Sequence, residues 1–214
     1  MIQQLLVAAQ FDVAFEFLSS EATQHLDSDT VERTIESAAL EYFDSAGGIE
    51  DQRAMDMCLK CLSMRPGSNF ARSIRDLVEA LRLLSAMGLK NRLPAEVRRE
   101  NDKIQVLRWV FEVNPQAYKN LASHSRIDLP RPPGTTLFRL AQLLGLVSDV
   151  QRASVRVLIA EYAMKGSTKF DLDVAYRMCN HLLRDSSSDI IKTVQAWRVC
   201  ASLATDSRFT DFQA

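Results

Sequence analysis

Glycine, proline, cysteine and histidine are all scarce in this chain, and long apolar runs are missing. Seven Gly and six Pro in 214 residues fall between periodic segments, which favours long helices joined by short connections. Four Cys make no dense framework and suit a reducing compartment. No apolar run approaches the ~18 residues of a membrane span. The N-terminus lacks the basic-then-apolar layout of a signal peptide. Sustained two-residue alternation of β-branched residues is absent, so almost no strand is expected.

The motifs of catalysis are missing too. There is no G-x-S-x-G elbow, no Walker loop and no GxGxxG. His25, His124 and His181 stand alone, without an i, i+4 partner of ligand type, which excludes HExxH zinc chemistry. Cys58-x-x-Cys61 is the one metal-like spacing. A structural zinc needs four ligands, and Cys179 and Cys200 stand singly on later helices. The pair sits mid-helix beside Leu62 and reads as ordinary helix residues. The acidic pairs Asp27/Asp29 and Asp171/Asp173 fit helix N-termini better than acid–base dyads. No enzyme, catalytic residue, metal, cofactor or small-molecule substrate is expected.

What is present is helical periodicity and an uneven charge. Net charge is −1, yet residues 1–70 carry 12 acids and 4 bases, and residues 71–139 carry 7 acids and 13 bases. Such a polarity can steer partners, or the two patches can neutralise each other within the fold. Periodicity starts at Ile2, Leu5, Leu6 and Ala9. Asp12 can cap a second helix, with Ala14, Phe15 and Leu18 on one face. Asp29 and Glu32 read as a capping box for a helix lined by Val31, Ile35, Ala38, Tyr42 and Phe43 and stopped by Gly47-Gly48. Met55, Cys58, Leu59 and Leu62 mark the next helix. Ile74, Leu77, Val78, Leu81 and Leu84 make a continuous stripe over about 69–87.

The stretch 89–120 organises the rest. Pro94 can open a short helix at its first turn. From about Asp102 to Val113, Ile104, Leu107 and Phe111 share one side, and Val106, Trp109, Val110 and Val113 cover most of the rest, leaving only a narrow polar strip of Gln105, Arg108 and Glu112. A helix apolar nearly all round must be covered on more than one side. Pro115 ends it. A short helix is expected near 116–121 and an extended loop over 126–134 (RIDLPRPPG). Further helices follow at about 135–144, 149–164, 171–184 and 188–204, and Asp206 can cap a last one. Asp12-Val13-Ala14-Phe15 recurs as Asp173-Val174-Ala175-Tyr176, each after a phenylalanine, as the second helix of a solenoid hairpin would.

The expected fold is therefore all-α, an α-solenoid of stacked antiparallel helix hairpins. Residues 1–214 read as a single solenoid segment of a longer protein, since Met1 leads straight into an apolar helix and the chain stops just after a new helical pattern begins. The best surface-site candidate is the basic cluster of Lys90, Arg92, Arg98, Arg99, Lys103 and Arg108. Single-strand nucleic-acid sites add exposed aromatics to such a cluster. Here Trp109 is the one nearby large aromatic and reads as buried, so nucleic acid ranks below an acidic protein segment. The competing reading is a face whose charges are paired internally.

Specific stretches carry a resemblance. Leu84-Ser85-Ala86-Met87-Gly88-Leu89, Arg92-Leu93-Pro94-Ala95-Glu96-Val97-Arg98, Asn114-Pro115-Gln116-Ala117-Tyr118-Lys119 and Leu143-Leu144-Gly145-Leu146 resemble the neuroblastoma-amplified sequence (NBAS) family of helical vesicle-tethering subunits. The likeness continues through 170–179 and 197–209. It covers residues 70–213 well and residues 1–69 less specifically. The resemblance implies an α-solenoid on the cytosolic face of the endoplasmic reticulum (ER), bound there peripherally through its partners. It implies a role in Golgi-to-ER retrograde transport, with Zeste-white and Rad-interacting type tether subunits and ER SNARE proteins as those partners. It also implies a second possibility, a scaffold in nonsense-mediated mRNA decay acting through the basic middle. It transfers no functional residue to a position here.

Overall fold

The computed structural model describes residues 2–20, 27–119, 135–184 and 194–208. Within these residues the chain is all-α, built from helix hairpins in the manner of an α-solenoid. The chain divides into two compact units. The first comprises Met1–Ala86 and Lys90–Glu100, the second Met87–Leu89 and Asn101–Ala214.

The first unit contains α1 (Ile2–Val7), α2 (Phe11–Ser19), α3 (Ser28–Ser45), α4 (Gln52–Ser63), α5 (Asn69–Ala86) and α6 (Pro94–Arg99). The turn after α1 is closed by Gln10 N–H to Leu5 O and Ala9 N–H to Leu6 O. This is a Schellman arrangement with Ala9 at φ 57° where glycine is usual. α2 begins at Phe11, so Asp12 lies inside its first turn. Asp12 complements the helix dipole there and does not cap. Ala14 is buried, but Phe15 is 57% exposed, contrary to the expected shared face.

The expected cap of α3 also moves by two residues. Asp27, not Asp29, accepts from Thr30 N–H, because its side chain lies one residue outside the first turn, where a free N–H is in reach. Val31, Ile35, Ala38 and Phe43 are buried as the period requires. Tyr42, at the edge of the stripe, donates its hydroxyl to Leu6 O at 2.6 Å, which fastens α1 to α3. Asp51 caps α4 through Ala54 N–H, and α3 and α4 form a hairpin. The Arg75 guanidinium of α5 donates to Leu62 O and Pro66 O, both at 3.0 Å. A cation thus meets the carbonyl end of α4, where the macrodipole favours it.

The second unit contains α7 (Lys103–Val113), α8 (Thr135–Leu143), α9 (Asp149–Met164), α10 (Lys169–Arg184) and α11 (Val194–Ala204). Asp102 caps α7 through Ile104 N–H. Val106, Leu107, Trp109, Val110 and Phe111 are all buried, so α7 is covered on more than one side. Val113 is the exception. It is exposed, one residue before the helix ends at Asn114-Pro115. Phe111 stacks on Tyr162 of α9, with ring centroids 4.2 Å apart and planes within 10°. Ser148 and Gln151 form the capping box of α9, and α9 and α10 make the second hairpin.

After Pro115 the chain makes tight turns rather than the expected helix. Ala117 N–H bonds Asn114 O and Lys119 N–H bonds Gln116 O, both three-residue closures that persist poorly as helix. The stretch 126–134 and the first residues of the helix expected from 188 lie outside the described residues. The two copies of the repeat match only in part: Ala14 and Ala175 are buried and Phe15 and Tyr176 exposed, but Val13 is exposed where Val174 is buried.

Candidate partner-binding surface

The basic cluster begins on α6. Pro94 occupies the first turn, and the Glu96 carboxylate accepts from Leu93 N–H at 3.2 Å. That places Arg98 and Arg99 in the last turn, where cations complement the dipole. Both reach Asp44 near the end of α3. Arg98 grips the two oxygens, with Nε to Oδ1 at 3.0 Å and Nη2 on Oδ2. Arg99 Nη2 adds a third contact at 3.0 Å. Burial raises the Asp44 pKa, but the hydrogen bonds from Arg98 and Arg99 outweigh it and hold the carboxyl below its ordinary value. Lys90 pairs with Glu50 at 2.9 Å, and Ser85 donates to the same oxygen. Arg92 lies 3.8 Å from Glu96.

Part of the basic middle is therefore paired with the acidic N-terminal region inside one unit. Two guanidiniums share the single Asp44 carboxylate. Lys103 and Arg108 are half-buried on α7 and belong to the second unit.

A denser polar cluster, absent from the expectations above, lies in the second unit at Asp171. This carboxylate is 1% exposed. Its Oδ1 accepts from the Tyr118 hydroxyl at 2.9 Å and from Lys119 Nζ at 2.6 Å. Its Oδ2 accepts from Thr168 N–H at 3.0 Å, while the Thr168 hydroxyl accepts from Asp171 N–H. Burial raises its pKa, but the hydrogen bonds from Lys119, Thr168 and Tyr118 prevail and bring it down to about 2. Burial, and then the adjacent carboxylate, push the Tyr118 hydroxyl up.

Neighbouring groups close the cluster. Lys119 Nζ also lies over the rings of Tyr118 and Phe170. Gly166 packs so close that a Cβ there would overlap the Asp171 carboxylate. Arg208, held by Asp206, donates to Met164 O at 2.9 Å and Gly166 O at 2.7 Å, covering the carbonyl end of α9.

This cluster positions helices rather than reacting groups. The carboxylate is ionised and surrounded by donors, and its protonated neighbours are held by it. The Cys58 and Cys61 thiols are buried in α4, and burial pushes each up to about 12. Both are protonated at neutral pH. Among the described residues no group of three or more His, Cys, Asp or Glu could hold a metal ion, and no helix is long and apolar enough to cross a membrane. His181 is exposed on α10, and His25 and His124 lie outside the described residues.

Fold and site together define a helical scaffold whose charged side chains hold helices in place. The chain belongs to the family described as Secretory pathway protein Sec39, which matches residues 1–207. It is 26% identical over 202 residues to MAG2-interacting protein 2 of Arabidopsis thaliana. That match covers 94% of this chain and 7% of the plant protein. The secretory-pathway assignment thus stands on almost the whole chain, including residues 1–69, where the resemblance read from the sequence was less specific.

Proposed function

We propose that this chain is a non-enzymatic protein-interaction scaffold, one solenoid segment of an ER-associated complex that tethers Golgi-to-ER retrograde vesicles and works with SNARE proteins. The observation that carries this reading is the family match over residues 1–207 on an all-helical chain. The plant relative's name, an interacting protein, fits a scaffold. NBAS is the member type proposed, with other tether subunits of the Zeste-white and Rad-interacting type as partners. In this reading the chain lies on the cytosolic face of the ER and reaches the membrane through those partners.

Arg92, Arg98 and Arg99 of the first unit, and separately Lys103 and Arg108 of the second, are proposed to supply positive potential to partner contacts. The exposure of Arg99 supports this. The test is affinity capture from cell lysate with the chain and with an Arg98→Glu/Arg99→Glu/Lys103→Glu variant of matched melting temperature. ER tether subunits or SNAREs should be recovered by the first and lost by the second. Recovery by both would keep the tether reading and remove the basic residues from the interface. Recovery of mRNA-decay factors, with the steep log–log salt dependence of phosphate contacts, would replace the tether reading.

A further inference from the structure

The fold sorts the four cysteines into two pairs, and only one of them is visible in the sequence. Cys58 and Cys61 are one turn apart in α4 and wholly enclosed. Cys179 and Cys200 stand singly in sequence, one on α10 and one on α11, and the packing of these helices on each other brings them together. Leu182 of α10 and Ala196 of α11 line one shallow notch with Cys200. Cys179 lies one turn before Leu182, and Cys200 one turn after Ala196, so each cysteine shares a helix face with a residue of that notch. The two thiols meet in a hydrogen bond across the helix interface.

Access to the two sulfurs differs. Cys179 is buried, whereas Cys200 is half-buried. The notch at Cys200 opens between the exposed side chains of Leu183 and Trp197. Burial, and then the neighbouring Cys200, push the Cys179 thiol up to about 12. A reagent from solvent therefore meets Cys200 first, and Cys179 reacts only with its neighbour.

We infer that Cys179 and Cys200 form a reversible disulfide that staples α11 to α10 when the chain meets a small-molecule disulfide such as oxidised glutathione. The Cys200 thiolate attacks one sulfur of the oxidant. The S–S bond of the oxidant breaks, and its other half leaves as a thiolate that takes up the proton Cys200 has lost. Cys179 then gives up its proton and attacks the Cys200 sulfur. The mixed disulfide breaks, and the second glutathione leaves as a thiol. Two protein thiols lose two electrons, and one oxidised glutathione becomes two reduced ones. The bridge closes a loop of about 20 residues and removes freedom from the state in which α11 has come away. The inference does not rest on the tether reading.

The test incubates the reduced chain, freed of reductant, with oxidised glutathione. Free thiols should fall from four to two, with no glutathione retained. Tryptic digestion without reductant should join the fragment Met178–Arg184 to the fragment Val199–Arg208. Hydrogen exchange in α11 should slow by about tenfold or more, and dithiothreitol should reverse it. Cys179→Ser should hold one glutathione on Cys200, because nothing resolves the mixed disulfide. Cys200→Ser should keep its three thiols free. The fragment map of the unmodified chain decides the matter even if a variant fails to fold. A lasting glutathione adduct on that chain, a link through Cys58 or Cys61, a bridge between two copies, or four thiols still free would each overturn the inference. So would a Cys179–Cys200 link that leaves exchange in α11 unchanged.

Discussion

The first unit and the second each join helices through one aspartate, and the two aspartates differ in burial. Asp44 is only partly buried and holds two guanidiniums, Arg98 partly buried with it and Arg99 largely in solvent. Asp171 is enclosed and accepts from a hydroxyl, an ammonium and a backbone N–H. Exposed ion pairs gain little over hydrated charges and are screened by salt. A buried carboxylate stripped of water must keep every partner, and removing it leaves those partners unpaired. The contrast separates a contact that adjusts stability from one that specifies which segments meet. Asp171 ties the turn after Pro115 to the α9–α10 connection, segments about 50 positions apart in sequence.

The largest effects should come from the second unit. Trp109→Ala opens a cavity in the packing around α7 and should cost ~3–5 kcal/mol in urea unfolding; a change below about 0.5 kcal/mol would place this side chain in solvent. Asp171→Ala should cost ~3–5 kcal/mol, because Tyr118 and Lys119 lose their acceptor, and should speed hydrogen exchange in α10. If it cost no more than Asp44→Ala, the contrast between the two aspartates would fail. Gly166→Ala, which drives a methyl into the Asp171 carboxylate, should cost ~1–3 kcal/mol. Gly48→Ala, with open space around it, should stay within about 0.5 kcal/mol.

Acid sharpens the same comparison. The folded-state pKa of Asp171, about 2, lies below the ordinary 3.8. Its stabilisation is therefore fully present above about 4 and is lost as pH falls through that window toward 2, by ~2 kcal/mol in all. An acid titration of stability should show this slope, and Asp171→Asn should flatten it. Asp44 acts in the same direction. Its removal should cost only ~1 kcal/mol at low ionic strength, and that cost should fade in 1 M salt, whereas the cost at Asp171 should persist.

The smallest test compares two helix ends. α1 ends with Ala9 in the left-handed region, and α8 ends with Gly145 there at φ 84°, closed by Leu146 N–H to Ala141 O. Ala9→Gly should stabilise the first unit by ~1 kcal/mol, and Gly145→Ala should destabilise the second by a similar amount. Equal responses of one sign would show that the two turns are not equivalent.

The sequence by itself determined where most helices form and which side of most of them is buried, though not at Phe15 or Val113. The stripe from Ile74 to Leu84, the start of α7 near Asp102, the proline start of α6 and the stop at Asn114-Pro115 all follow from local chemistry within a few residues. The errors were local too: at Asp12 and Asp29, where acids stand one or two residues apart and several can serve a helix start, and after Pro115, where tight turns replace a helix. Half of the Asp171 cluster was also legible, since Thr168-x-x-Asp171 before an apolar run is a capping pattern. Its other half was not. Nothing in Tyr118-Lys119 names a carboxylate 53 residues away.

Only the tertiary structure decided which charges meet. Arg98 and Arg99 read as a basic cluster, either a partner site or paired internally, until α6 packs on α3 and brings Asp44 within reach. Helix periodicity repeats every few residues and is written along the chain. The pairing of buried charges depends on how helices dock, and the energy that selects it belongs to groups that become neighbours only when water has been excluded between them.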